Sequence, residues 1–181
     1  MKIKSMTLVA LFASITAVFS IIPGIPLPFS PVPITLQVFA VLLSGAMLGA
    51  KLGALSQVVY LFLGVIGLPV FSGGAAGFSV LVGATGGYLI GFPIASFIFG
   101  YCVTRKGSML GVHTILAVVL SLAIIYIPGT LWLGHILSLS LAKAFTIGSL
   151  PYIPLDLVKA VLVLLLAAPV RKRLQAAKLI D

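Results

Sequence analysis

Asp156 and Lys159 stand three residues apart in the run PYIPLDLVKAVLVLLLAAPVRKR, a segment otherwise long and apolar enough to cross a membrane. On a helix, residues three apart share a face, so this carboxylate and this ammonium are neighbours. An ionisable group at membrane depth costs about 2.5 to 3.5 kcal/mol on insertion scales, so it persists where it is paired or functional. The carboxylate can accept two hydrogen bonds from a ligand with paired N–H donors, and the lysine can donate to a carbonyl or a carboxylate. Without a ligand the two would pair with each other. Gln37 adds an amide for a ligand or for a neighbouring helix. Tyr152, Tyr88 and Phe71 offer flat apolar surface suited to a ring, although aromatic side chains in a membrane bundle also serve packing. Trp132 reads as an interfacial anchor. The stretch with Ser72, Gly73 and Gly74 could close over a pocket or form only a tight turn.

Other chemistries find no support in the residues. There is no GxxxxGK[ST], so the chain has no nucleotide-binding loop of its own. Asp156 has no histidine at helical spacing, so a Ser-His-Asp set is not assembled and an intramembrane hydrolase is disfavoured. The chain contains no glutamate and no asparagine, and its second acid is the terminal Asp181. A proton relay would therefore rest on Asp156 alone. His113 and His135 lack ligand spacing, and Cys102 is a single cysteine, so neither a metal site nor a disulfide is expected. No cofactor is expected either.

The elements that must carry these residues are helices in lipid. Of 181 residues, 61% are hydrophobic and 7% charged, against roughly 25% charged in a soluble domain. A single polytopic membrane domain over residues 1–181 is expected, all-α with six transmembrane helices. Helix one runs from about Ser5 to Ile22 and is read as retained rather than as a cleaved signal. It ends at IIPGIPLPFSPVPIT, where five prolines remove backbone donors and impose an ordered or extended loop. Helix two spans about Ile34 to Ala50 and helix three Leu52 to Gly67, with Lys51 between them. Helix four runs from Ser79 to Thr104 and helix five from Gly111 to Ile127. The stretch from Pro128 to Leu150 reads as a partly helical interfacial loop. Helix six runs from Pro154 to Val170, with proline suited to its first position.

Charge sets the orientation. The net charge of +9 comes from short basic clusters between apolar segments, which argues against a nucleic-acid partner. Alternating the loops puts Lys2, Lys4, Lys51, Arg105, Lys106, Arg171, Lys172, Arg173 and Lys178 on one side, with Lys143 opposite and Lys159 inside a helix. Both termini are then cytoplasmic and the Asp156 end faces outward. Small residues recur every four positions at Ser79, Gly83, Gly87, Gly91 and Ala95, and at Gly45, Gly49 and Gly53, the spacing that lets helices approach closely in lipid. Ala10, Ala13 and Ala17 form a further small stripe, for contact within the chain or with another membrane protein.

The segment from SPVPITLQVF to GGYLIGF, together with LPYIPLDLVKA, resembles the BioY family, the biotin-specific substrate-binding subunits (S components) of energy-coupling factor transporters. The resemblance extends from the AxxxA stripe of helix one to PxxPxDxxK in helix six. It implies six helices with both termini inside, in the plasma membrane, and capture of biotin from outside as cargo rather than cofactor. It also implies a transmembrane coupling subunit and cytoplasmic ATPases as partners. Asp156 and Lys159 fall on the ligand-contacting acid and lysine of the sixth-helix motif, and Ala13 and Ala17 on the stripe that meets the coupling subunit. The chain departs from the family pattern at Leu155, often glycine, and at Ala84. An S component for another vitamin, or a scaffold subunit whose charged pair only locks two helices, are the alternatives.

Overall fold

A computed structural model describes residues 3–22, 24–104 and 111–177. Pro23, Arg105, Lys106, Lys2, Lys178 and Asp181 lie outside the described residues. Among the described residues, seven α-helices, one short β-hairpin and a 3-10 turn at Ser72–Gly74 follow in the order α1 (Ile3–Ile21), β1 (Ile25–Leu27), β2 (Ser30–Ile34), α2 (Gln37–Val65), the turn, α3 (Phe78–Val82), α4 (Gly86–Thr104), α5 (Val112–Ile136), α6 (Leu141–Gly148) and α7 (Ile153–Ala176). Among the described residues, α1, α2, α4, α5 and α7 are long and apolar enough to cross a membrane.

The α2 segment contains what the sequence predicts as two helices. At Gly49 the backbone turns to φ 78°, a left-handed conformation that side chains with a Cβ rarely adopt, and the helix doubles back. Gln37 Nε2 donates to Tyr60 Oη at 2.8 Å, although 23 residues of straight helix would span about 34 Å. Its limbs, 37–48 and 50–65, are packed so closely that a Cβ on Gly53 would lie 2.8 Å from the Gly45 Cα. The small-residue stripe is thus the inner seam of a helical hairpin. Arg171 of α7 closes the turn by donating from Nη1 to the carbonyls of Ala46 at 3.1 Å and Met47 at 2.7 Å. Those carbonyls lack intrahelical partners because the first limb ends there.

Two predicted boundaries are corrected. Helix five does not stop at Ile127 but continues through Pro128 to Ile136. Proline removes only the bond to Ile124 O, and that carbonyl faces Gly91 of α4, where a Cβ would approach it to 2.7 Å. The carbonyl left without its helical partner is thus packed against the α4 backbone, which the absence of a side chain at Gly91 allows. Helix four, conversely, is not continuous from Ser79. It breaks at Gly83 into α3 and α4, and the Gly83 carbonyl accepts the Gly86 N–H at 3.1 Å and the Trp132 indole N–H at 2.9 Å. Trp132 therefore ties α5 to that break. Two smaller corrections follow: α7 continues past Val170 to Ala176, and the chain is not wholly α. The proline loop forms β1 and β2, paired through Ile25 with Ile34 and Leu27 with Ser30. Pro31 and Pro33 lie between the paired positions of β2, opposite a shift in register, where proline's missing donor is tolerated.

The centre of the bundle is polar in one layer. Gln57 Nε2, with two N–H groups to donate, lies 3.1, 3.0 and 3.2 Å from Thr16 Oγ1, Ser44 Oγ and Ser56 Oγ, and Ser44 Oγ meets Ser96 Oγ at 2.9 Å. All five residues are fully buried, and Gln57 Oε1 has no partner. This layer joins α1, both limbs of α2 and α4.

Candidate functional site

A cavity of about 270 Å³ opens at the end of the bundle opposite Gly49 and Arg171. Its walls come from β2, the start of α2, the 71–75 loop, α3, α4, α5 and α7. The β-hairpin, the 71–75 loop and the α3–α4 break all lie around it. The hairpin, the loop and the α3–α4 interruption take up chain that continuous helices would use to fill the space.

One wall is polar. Asp156, in the first turn of α7, is 2% exposed. Lys159 Nζ meets its Oδ1 at 2.6 Å, and Tyr126 Oη donates to its Oδ2 at 2.5 Å. A second Lys159 N–H goes to the Thr35 carbonyl at 2.8 Å. Beside it, the Thr35 hydroxyl donates to Gln37 Oε1 at 2.9 Å, and Gln37 Nε2 reaches Tyr60. The rest of the wall is mainly apolar, with Val38, Val80, Leu89, Phe92 and Ile125. Tyr88 and Tyr126 meet edge to face with ring centroids 6.1 Å apart, and Phe71 meets Tyr60 in the same way at 5.7 Å. A mostly apolar concavity with a few convergent polar groups is the usual form of a small-molecule site.

The hairpin is fastened to this wall from α7. Tyr152 Oη donates its one proton to the Val32 carbonyl and meets Ser30 Oγ at 2.9 Å. Burial pushes the Tyr152 phenol above its ordinary value, against a smaller lowering by Ser30, so it remains a donor at neutral pH. Tyr152 and Lys159 are two helical turns apart on one face, Tyr152 holding β2 and Lys159 the Thr35 link from β2 to α2.

Of the residues singled out in the sequence, Asp156, Lys159, Gln37, Tyr152, Tyr88, Phe71 and Ser72 line the cavity together. Ser72 Oγ is buried there and unpartnered. Gly73 and Gly74 sit in the adjoining 3-10 turn without lining it. Ala13 is fully buried within the chain and Ala17 half-buried, so only Ala17 of that pair offers surface. Among the lining residues that the sequence did not single out are Thr35, whose carbonyl takes Lys159, and Tyr126. The one available signal was a tyrosine in the middle of an apolar helix, two residues before a proline. An apolar groove of about 630 Å³ lies between α1, the first limb of α2 and α7, with Ser14 as its one hydroxyl-bearing residue.

Fold and site define the class: a polytopic helical membrane protein with a small-molecule cavity near one end. The BioY family model matches residues 1–176, and the chain belongs to that family. A probable biotin transporter BioY of Pyrococcus horikoshii is 42% identical over 167 residues, covering 92% of this chain and 96% of that protein. The biotin transporter BioY of Thermotoga maritima is 40% identical over 157 residues, covering 87% and 91%. A crystal structure of the S-component for biotin from an ECF-type ABC transporter shares the fold at a TM-score of 0.84. Its sequence is 29% identical, and the match covers 94% of this chain and 92% of that one.

Proposed function

We propose that this chain captures biotin as the substrate-specificity subunit of an ATP-driven energy-coupling factor transporter. The observation that carries the reading is the cavity itself, whose polar wall of Asp156, Lys159, Tyr126 and Gln37 faces an apolar remainder. Biotin is shaped to match, with a polar ureido ring fused to an apolar thioether ring and an aliphatic tail. Asp156 and Lys159 form the end that meets a polar ligand group, Tyr88, Tyr152 and Phe71 flank the rings, and the loop of Ser72, Gly73 and Gly74 covers the mouth.

The doubled-back α2 supports six crossings rather than five, because its limbs pass in opposite directions. Nine basic residues then fall on one side against Lys143 on the other, which argues for cytoplasmic termini in the plasma membrane and a cavity facing outward. A coupling subunit would contact the exposed side of α1 around Ala17, beside the apolar groove. With no nucleotide-binding loop in the chain, the ATPases are separate subunits.

The test is equilibrium binding of labelled biotin to the purified protein, with thiamine, riboflavin and lipoate as competitors. Saturable binding displaced by unlabelled biotin alone is expected, and it weakens at least tenfold in Asp156→Asn and Lys159→Ala. No saturable biotin binding, or displacement by another vitamin, overturns the reading. Unchanged affinity in both variants puts the site elsewhere.

A further inference from the structure

We infer that the apolar groove between α1, the first limb of α2 and α7 is a binding site for an anionic phospholipid, with one acyl chain in the groove and the phosphate on Lys4 and Arg173. The groove, of about 630 Å³, is lined by apolar side chains apart from Ser14, whose hydroxyl is engaged by the Ala10 carbonyl at 3.0 Å. Its lining runs from Leu11 to Phe19 on α1 and from Phe39 to Met47 on α2, about 12 Å along each helix. One leaflet, half of the hydrocarbon core, is about 15 Å deep. The groove is thus close to one leaflet tall, and it is blind. Phe19 and Phe39, the last lining residues at its far end, meet there with ring centroids 5.8 Å apart. A partner's transmembrane helix, crossing about 30 Å, would have to leave the groove halfway, whereas an acyl chain ends at mid-membrane.

The other end of the groove is basic. Arg171 bonds the carbonyls of Ala46 and Met47 there, which fixes a guanidinium at the level where the lining stops. Arg173 stands seven residues after Leu166 and Lys4 seven before Leu11, so both repeat groove-facing positions of their helices. Along the helix axes Arg173 lies about 4.5 Å past Val170 and Lys4 about 10 Å past Leu11. Both are exposed, and long basic side chains bend toward a headgroup. Among the described residues the one acid, Asp156, is at the opposite end of α7. The groove alone does not select a lipid, since a tail gains little from it over other tails. Selection comes from a phosphate meeting two cations, and a zwitterionic headgroup would bring its own cation beside them. The cytoplasmic termini proposed above put the lipid in the inner leaflet; the site itself does not depend on the biotin reading.

The experiment is native mass spectrometry of the purified protein with phosphatidylglycerol and phosphatidylcholine of identical chains, at equal concentration in one detergent. Wild type is expected to retain phosphatidylglycerol at least fivefold over phosphatidylcholine, and Lys4→Gln combined with Arg173→Gln to bring that ratio within twofold of unity. Ser14→Phe fills the groove from an exposed position and leaves both cations in place. It is expected to lower retention of both lipids at least threefold, while biotin affinity stays within twofold of wild type because the cavity has separate walls. No preference in wild type, a preference that survives the double substitution, or retention unchanged by Ser14→Phe overturns the assignment. So does a dimer that forms in wild type and is lost in Ser14→Phe, since a second copy is then the occupant. The charge variants lie on exposed turns beyond the groove, so they test the headgroup contact even where Ser14→Phe fails to fold. Wild type that selects phosphatidylglycerol but binds no biotin overturns the proposed function alone and leaves the lipid site standing.

Discussion

The two ends of the bundle solve opposite packing problems. At the Gly49 end, backbones touch: Gly45, Gly53 and Gly100 bring both limbs of α2 against α4, and a Cβ on Gly100 would lie 2.7 Å from the Gly45 carbonyl and the Gly49 carbonyl carbon. At the Asp156 end, helices stop or break and side chains bridge the gaps, leaving a cavity of about 270 Å³. In lipid, where water does not drive apolar surfaces together, close backbone packing is a main source of helix association. The closed end therefore supplies rigidity, and the open end can give up space to a ligand. The polar layer around Gln57 lies between them.

That contrast can be broken most sharply at the open end. Asp156→Ala leaves Lys159 and Tyr126 buried without their shared partner, so a loss of about 3 to 5 kcal/mol is expected, read as reduced thermal stability in detergent. Asp156→Asn, which keeps the volume and a hydrogen-bonding group, should lose less. Next comes the closed end, where Gly100→Val forces a side chain into backbone and should cost about 1 to 3 kcal/mol, with a falling yield of monodisperse protein. If Gly100→Val proves harmless, that end is looser than its geometry says.

Arg171→Met should follow, at about 1.5 to 3 kcal/mol, because two carbonyls at the α2 turn lose a charged donor. Arg171→Lys should recover part of that loss, as the charge remains while the fork geometry does not. A thermal melt separates the three. The smallest effect is expected in the middle layer. Gln57→Met removes the amide's two donors but also an orphan carbonyl oxygen, so the net change should stay within about 1 kcal/mol. A large loss there would mean that the layer, rather than the glycine seam, holds the helices together.

Much of the site was legible because lipid makes polar residues conspicuous. Asp156 and Lys159 stood out in an apolar run, and Gln37 stood out for the same reason. Tyr126 did not, since an aromatic residue in an apolar helix reads as packing until a carboxylate from another helix is found 2.5 Å away. Thr35 was invisible because its cavity-side partner to Lys159 is a carbonyl, which every residue carries. The helix boundaries failed for a related reason. Pro128 reads as a stop only if its orphan carbonyl has nowhere to go, and Gly91 is 37 positions away in the sequence. Gly83 looked like one more member of a small-residue stripe, yet the helix breaks there and Trp132 takes its carbonyl. In both cases a residue remote in sequence decided whether a local irregularity was tolerated.

The turn at Gly49 also bears on how the chain enters the bilayer. Limb 37–48 is about 18 Å long, short of the roughly 30 Å hydrocarbon core. Such a segment is a poor membrane anchor by itself, and its carbonyls at the turn would be bare until Arg171 arrives more than a hundred residues later in synthesis. Residues 37–65 are therefore expected to leave the ribosome's insertion machinery as one folded hairpin, with Lys51 held back on the side of synthesis, and to wait for α7 to seal the turn.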